Sequence, residues 1–217
     1  MLAFFEGPAS YAQARIWLDE RVRFDPEKPQ VAIYNMPFLY RLSTSGTLSI
    51  TRLRRALSIV VMKHESLRTS IFFDTDRNML MQQIIVPTDD DCQRLFSFME
   101  STIATEEELS SIMHDERGNP THFDLARGLV FRCHIIHHTL ASSDDFLCGG
   151  AALVFNFHHA LFDFPSMPIF LRDLRQAYSG DRLEEVDDKM HLRYLDCKFA
   201  SFLALKMKLC VFVCHLW

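Results

Sequence analysis

AALVFNFHHALFDFPSM, residues 151–167, decides the fold. Up to His158 the run is dense in apolar and aromatic residues, which predicts a β-strand. Beyond it Ser166 is placed to cap a helix, Pro168 fits that helix's first turn, and Gly180 ends it. Strand therefore gives way to loop at two adjacent histidines, with Asp163 four positions after the second. Successive strand side chains face opposite ways, so His158 and His159 are expected to serve different surroundings. One points into a cleft, the other into packing or a backbone hydrogen bond. An imidazole at a strand's end suits proton abstraction from an amine or alcohol. A carboxylate past the strand, at Asp163, can order the loop by pairing with a distant arginine.

Working outward, LVFRCHIIHHTL (129–140) reads as a second strand, joined to the first by the loop ASSDDFLCGG (141–150). Near the start, Pro8 and Ser10 precede a short helix over Tyr11 to Leu18, and the proline-bearing RFDPEKPQ (23–30) is a loop. VAIYNMPFLYRL (31–42) is extended. Ser49 is a fitting N-cap for a helix to about Glu65, with Ile50, Leu53, Leu57, Val60 and His64 on one face. SIFF (70–73) and MLMQQIIV (79–86) flank the polar DTDRN (74–78) as a hairpin does. The acidic stretch 92–115 is expected to be helical, in one piece or two. Helix and strand alternate, so the class is α/β.

The 217 residues suit one substantial domain, and 48% hydrophobic with 24% charged residues excludes disorder over most of the length. A net charge of -5 and a pI near 6.0 argue against nucleic acid as a partner. From Asp89 to Glu116 there are nine acids and one base, Arg94, a solvated acidic face. Six cysteines follow no CxxC spacing, and the N-terminus lacks the basic and apolar regions of a secretory signal. Free thiols in a reducing cytoplasm are the expectation. The tail CKFASFLALKMKLCVFVCHLW (197–217) is apolar, yet Lys198, Lys206 and Lys208 make it a poor membrane span. It reads as the non-native end of a truncated chain.

Other chemistries have less behind them. His134, His137 and His138 lie on the neighbouring strand, but no HExxH, CxxC or obvious carboxylate ligand accompanies them, and no metal is expected. A serine hydrolase lacks its GxSxG elbow. Nothing local selects a cysteine as a nucleophile beside a histidine, and both histidines can also be satisfied structural residues.

Four stretches resemble one family, the condensation domains of nonribosomal peptide synthetases, which lie within a chloramphenicol acetyltransferase-like superfamily. ASYAQARIW (9–17) is similar to the family's S-x-A-Q-x-R-x-W, and KHESLRTS (63–70) to its R-H-E-x-L-R-T with Lys63 for the first arginine. FDLARGLVFR (123–132) is similar to F-D-L-x-x-G-P-L-x-R with Leu129 for proline, and FHHALFD (157–163) to the H-H-x-x-x-D-G core. The resemblance implies a mixed sheet with flanking helices, one half of a V-shaped two-lobe domain: residues 1–196 as the N-terminal lobe, 197–217 as the tail. It implies an acyltransferase that joins a carrier-bound acyl or peptidyl thioester to the amine of an aminoacyl thioester. His159 would take the proton or position the amine, His158 would support it, and Asp163 would pair with Arg68 or Arg15 and hold the loop. Phe164 replaces the glycine that lets substrate arms approach the backbone, and Pro165 is expected to keep it extended. No bound cofactor is implied, since phosphopantetheine arrives on a carrier protein. The missing second lobe, or self-association, would close the tunnel. A stand-alone trimeric acyltransferase and an inactive lobe that only binds are the alternatives.

Overall fold

The computed structural model describes residues 6–23, 30–86, 95–138 and 145–180. The expected boundary at residue 197 and the whole tail lie outside them. The elements run β1 (Glu6–Pro8), α1 (Tyr11–Arg23), β2 (Asn35–Arg41), β3 (Leu48–Ser49), α2 (Ile50–Lys63), β4 (Thr69–Asp74), β5 (Met79–Ile84), β6 (Ser97–Ile103), α3 (Glu106–Gly118), β7 (Phe131–His138), β8 (Phe146–Leu147), β9 (Ala152–His158) and α4 (Met167–Ser179).

The principal sheet has the order β2-β9-β7-β6. β9 is antiparallel to both its neighbours, whereas the outer β6 runs parallel to β7. This is the mixed sheet with flanking helices that the family resemblance implies. Every residue of β9 is buried because both faces are covered, which explains its unbroken apolar run. Leu153, Phe155 and Phe157 face α2 and α4 among Leu53, Leu57, Val60, Phe131 and Phe170. Ala152 and Val154 face α3 with Ile103, Leu109 and Ile136. Each Leu, Val or Phe so buried contributes about 1.5–3 kcal/mol. A second, smaller sheet, β1-β5-β4, packs with α1 around Ile16, Ile71, Val130, Ala160 and Leu161.

Local signals account for the ends of these elements. Ser10 and Gln13 form a reciprocal cap on α1: Gln13 Oε1 accepts from the Ser10 N–H at 2.7 Å, and Ser10 Oγ from the Gln13 N–H at 3.2 Å. Ser49 caps α2, accepting from the Arg52 N–H, and is itself held by Asp145 at 2.7 Å. The hairpin β4–β5 forms as expected, with Asn78 in the turn at φ 50°. Gly180 ends α4 at φ 85°, where glycine alone is unstrained.

Three expectations are corrected. Residues 97–103 are strand β6, not helix. The acids that suggested a helix collect in the first turn of α3 (Glu106, Glu107, Glu108), where the helix dipole favours them. Ser166 makes no side-chain cap for α4, because its backbone N–H and hydroxyl both donate to Asp163. Phe164 is not extended: it opens a 3-10 turn over Phe164–Ser166, fixed by that same aspartate.

Candidate active site

His158 is the last residue of β9 and His159 the first beyond it, and they face different surroundings as alternation requires. His158 is 4% exposed, with Nε2 3.0 Å from Glu20 Oε1 on α1 and Nδ1 accepting from the Ala160 N–H at 3.2 Å. His159 is exposed. Its backbone N–H donates to the Tyr34 carbonyl at 2.9 Å, and its Nδ1 lies 3.0 Å from the Phe162 carbonyl. A carbonyl only accepts, so Nδ1 carries a proton, and in the neutral imidazole Nε2 is the acceptor. His159 lines an open cavity of about 620 Å³ with Ser10, Arg15, Ser66, Asp163 and Ser166 among its walls. The site is therefore a strand end that shows one imidazole to an open cavity.

The structure brings His159, Asp163 and Arg15 to one cavity, but no ion pair joins Asp163 to either expected arginine among the described residues. Arg68 instead donates to the Ile85 carbonyl at 2.8 Å and to the Met62 carbonyl at 3.3 Å, tying the end of α2 to the residue that follows β5. Asp163 instead caps the turn: Oδ1 accepts from the Ser166 N–H at 3.1 Å. Phe164 is 72% exposed, lies edge-on to Phe38 with ring centroids 5.1 Å apart, and is not among the residues lining the His159 cavity.

The loop of the FDLARG stretch props the site from below. The Leu125 carbonyl accepts from Ile71, and the Val130 carbonyl accepts from the His158 N–H at 3.0 Å. Gly128 turns this loop at φ 69°, and a Cβ there would fall 2.3 Å from Ile85 Cδ1.

Motif reading missed the polar centre beneath β9. Glu116 of α3 is fully buried and accepts from Arg132 Nε at 2.9 Å, His134 Nδ1 at 2.7 Å and Asn156 Nδ2 at 2.9 Å. Burial alone would raise its carboxyl, but the hydrogen bonds from His134, Asn156 and Arg132 and the Arg132 charge outweigh it and hold it at about 2. Asn35, paired across from His158, donates to the Glu116 and Asn119 carbonyls and so fastens the end of α3 to β2. On the other face, the buried Asp173 of α4 binds Lys63 at 2.8 Å and His64 at 2.8 Å. Against the upward push of burial, the hydrogen bonds from Lys63, Arg172 and His64 hold the Asp173 carboxyl below the usual range. The same burial lowers His64, more than Asp173 raises it.

His134 is thus occupied with Glu116 and Ser101, and His137 with Glu100. Among the described residues no group of three or more His, Cys, Asp or Glu is placed to hold a metal ion. Cys133 is fully buried, which pushes its thiol well above the usual range and leaves it no nucleophile. No described helix is long and apolar enough to cross a membrane.

With this geometry in place, comparison gives a consistent relationship. A family model described as the condensation domain matches residues 6–198. The chain is 32% identical over 195 residues to fusarin C synthetase of Gibberella moniliformis, covering 90% of this chain and 4% of that protein. It is 30% identical over 191 residues to a linear gramicidin synthase of Brevibacillus parabrevis, covering 87% and 3%. Among solved structures, the condensation domain from the monacolin K polyketide synthase MokA superposes with a TM-score of 0.64 at 19% identity, covering 93% of this chain and 40% of that one. The starter condensation domain of rhizomide synthetase RzmA gives 0.65 at 17%, covering 92% and 45%. These structures share the fold, and the chain spans under half their length. From the fold, the paired histidines at the strand end and the match over residues 6–198, the chain belongs to the condensation-domain family.

Proposed function

We propose that this lobe serves amide-bond formation between a carrier-bound acyl or peptidyl thioester and the amine of an aminoacyl thioester. The observation that carries the reading is the setting of His159: Nδ1–H is committed to the Phe162 carbonyl and the residue lines the cavity, which leaves Nε2 as the ring atom able to accept a proton in the neutral imidazole. The amine nitrogen attacks the thioester carbonyl, the C–N bond forms and the C–S bond breaks. The proton passes from the amine to His159 Nε2 and then to the departing sulfur. Asp163 and the Ser166 turn hold the loop, while His158 supports it from the buried side. Arg15, on the cavity wall, is a cation able to meet an anionic group.

The partner in this reading is a carrier protein that delivers the phosphopantetheine arm. The open side of the cavity is closed by a further lobe or by a second copy of the chain. The test supplies a carrier-loaded acyl thioester and an amine to the chain, alone and with a condensation-domain C-terminal lobe added in trans. Amide product is followed by mass spectrometry, and native mass is recorded. Product that disappears in His159→Ala, with the fold retained, supports the reading. Equal product from wild type and His159→Ala overturns it. Carrier binding that persists in His159→Ala, with no amide from wild type under either condition, identifies a lobe that only binds.

A further inference from the structure

Two adjacent carboxylates on α1 hold the groups that flank His159. Asp19 Oδ2 accepts from the Tyr34 hydroxyl at 2.8 Å, and the Tyr34 carbonyl in turn accepts the His159 N–H at 2.9 Å. Glu20 Oε1 lies 3.0 Å from His158 Nε2, across 138 residues of sequence. The far side of that imidazole fixes where its proton sits. His158 Nδ1 faces the Ala160 backbone N–H at 3.2 Å, and a backbone N–H only donates. Nδ1 is therefore bare, and Nε2–H donates to Glu20.

The same imidazole shapes the turn. His158 Nδ1 receives the Ala160 N–H, while the His158 carbonyl receives the Leu161 N–H at 3.0 Å. His159 stands at the apex between these two bonds. His158 is only 4% exposed, yet it lines a cavity of about 690 Å³, so solvent that both donates and accepts would replace a lost carboxylate there and fix no tautomer. Glu20 lines that same cavity beside His158. It does not line the His159 cavity, so its influence on His159 must pass through His158.

We infer that Glu20 is a positioning residue for His159, acting by holding His158 in the Nε2–H tautomer. The inference rests on the proposal that His159 is the proton acceptor. A carboxylate on Nε2 forbids the alternative Nδ1–H form, which would set donor against donor at Ala160 and open the turn. Once the turn opens, His159 loses its bond to the Phe162 carbonyl and its own Nε2 ceases to be the fixed acceptor.

The test uses long-range proton–nitrogen spectra of the imidazoles in the full 217-residue chain. In wild type, His158 shows the pure Nε2–H pattern and His159 the pure Nδ1–H pattern. In Glu20→Ala both patterns collapse towards tautomer mixtures. In Glu20→Gln the amide oxygen still accepts, and both patterns survive. Gly180→Ala, which loosens the fold at a distance, leaves both unchanged. Unchanged histidine patterns in Glu20→Ala overturn the inference, as does the same collapse in Gly180→Ala. If Glu20→Ala does not fold, Glu20→Gln decides: a shifted His158 Nε2–H resonance with the His159 pattern kept supports it, and an unmoved His158 resonance overturns it. The spectra report geometry whether or not amide forms, so this result stands apart from that of the condensation assay.

Discussion

Replacing Glu116 by glutamine separates a titrating buried anion from one that is merely packed. The carboxyl sits at about 2 in the fold against an ordinary value of 4.5. That difference of about 2.5 pH units corresponds to about 3 kcal/mol of folding stability. The folded value is depressed, so the stabilisation is fully present above about pH 4.5, declines as the pH falls below it, and is gone below about 2. Glu116→Gln should lose about 3 kcal/mol at pH 7, because Arg132 is left buried without its counter-charge. Urea denaturation of both proteins at pH 7, 5, 4, 3 and 2 is the assay. At 1–3 kcal/mol per molar, the midpoints should differ by about 1–3 M at neutral pH. The gap should close steadily below about pH 4.5. Asp173 and other carboxylates titrate in both proteins and cancel in the difference. Stability curves that stay parallel from pH 7 to 2 would refute the assignment of the loss to an ionised Glu116.

Asp163→Ala removes the acceptor for the Ser166 N–H and should cost about 1 kcal/mol in thermal denaturation, while Asp163→Asn keeps most of it. Gly128→Ala meets both a positive φ and the Ile85 methyl, and should cost more than about 1 kcal/mol, measured by urea midpoint. Phe164→Gly gives up the edge contact with Phe38, worth about 0.5–1.5 kcal/mol, and should leave amide formation unchanged because the ring does not line the His159 cavity. A gain in product from Phe164→Gly would mean that the ring reaches the reacting arms.

What the sequence revealed was what local rules write. The apolar density of β9, the Ser49 cap, the β4–β5 hairpin and the glycine after α4 each follow from residues within a few positions of one another. The opposed environments of His158 and His159 follow from strand alternation alone. β6 was hidden because SFMESTI is an outer strand whose identity comes from parallel pairing with β7, more than 30 residues away. The expected arginine for Asp163 failed because a nearer donor, Ser166, takes the carboxylate. Glu116 and Glu20 carried no legible signal: one reads as part of a solvated acidic run, and the other lies past the helix expected over Tyr11 to Leu18. Only tertiary folding brings Glu116 to Asn156 and Glu20 to His158.

The order of the strands also has a consequence for synthesis. β9 lies between β2 and β7, yet it leaves the ribosome after both. From Arg41 at the end of β2 to Ala152 at the start of β9, about 110 residues must be translated. At 5–20 residues per second that is roughly 5–20 seconds in which β2 has no neighbour in its sheet. β4 and β5, joined by a short turn, can pair within microseconds of emerging. The nascent chain thus carries a finished hairpin beside an unsatisfied strand, and the strand that bears the histidines is the one whose arrival closes the sheet.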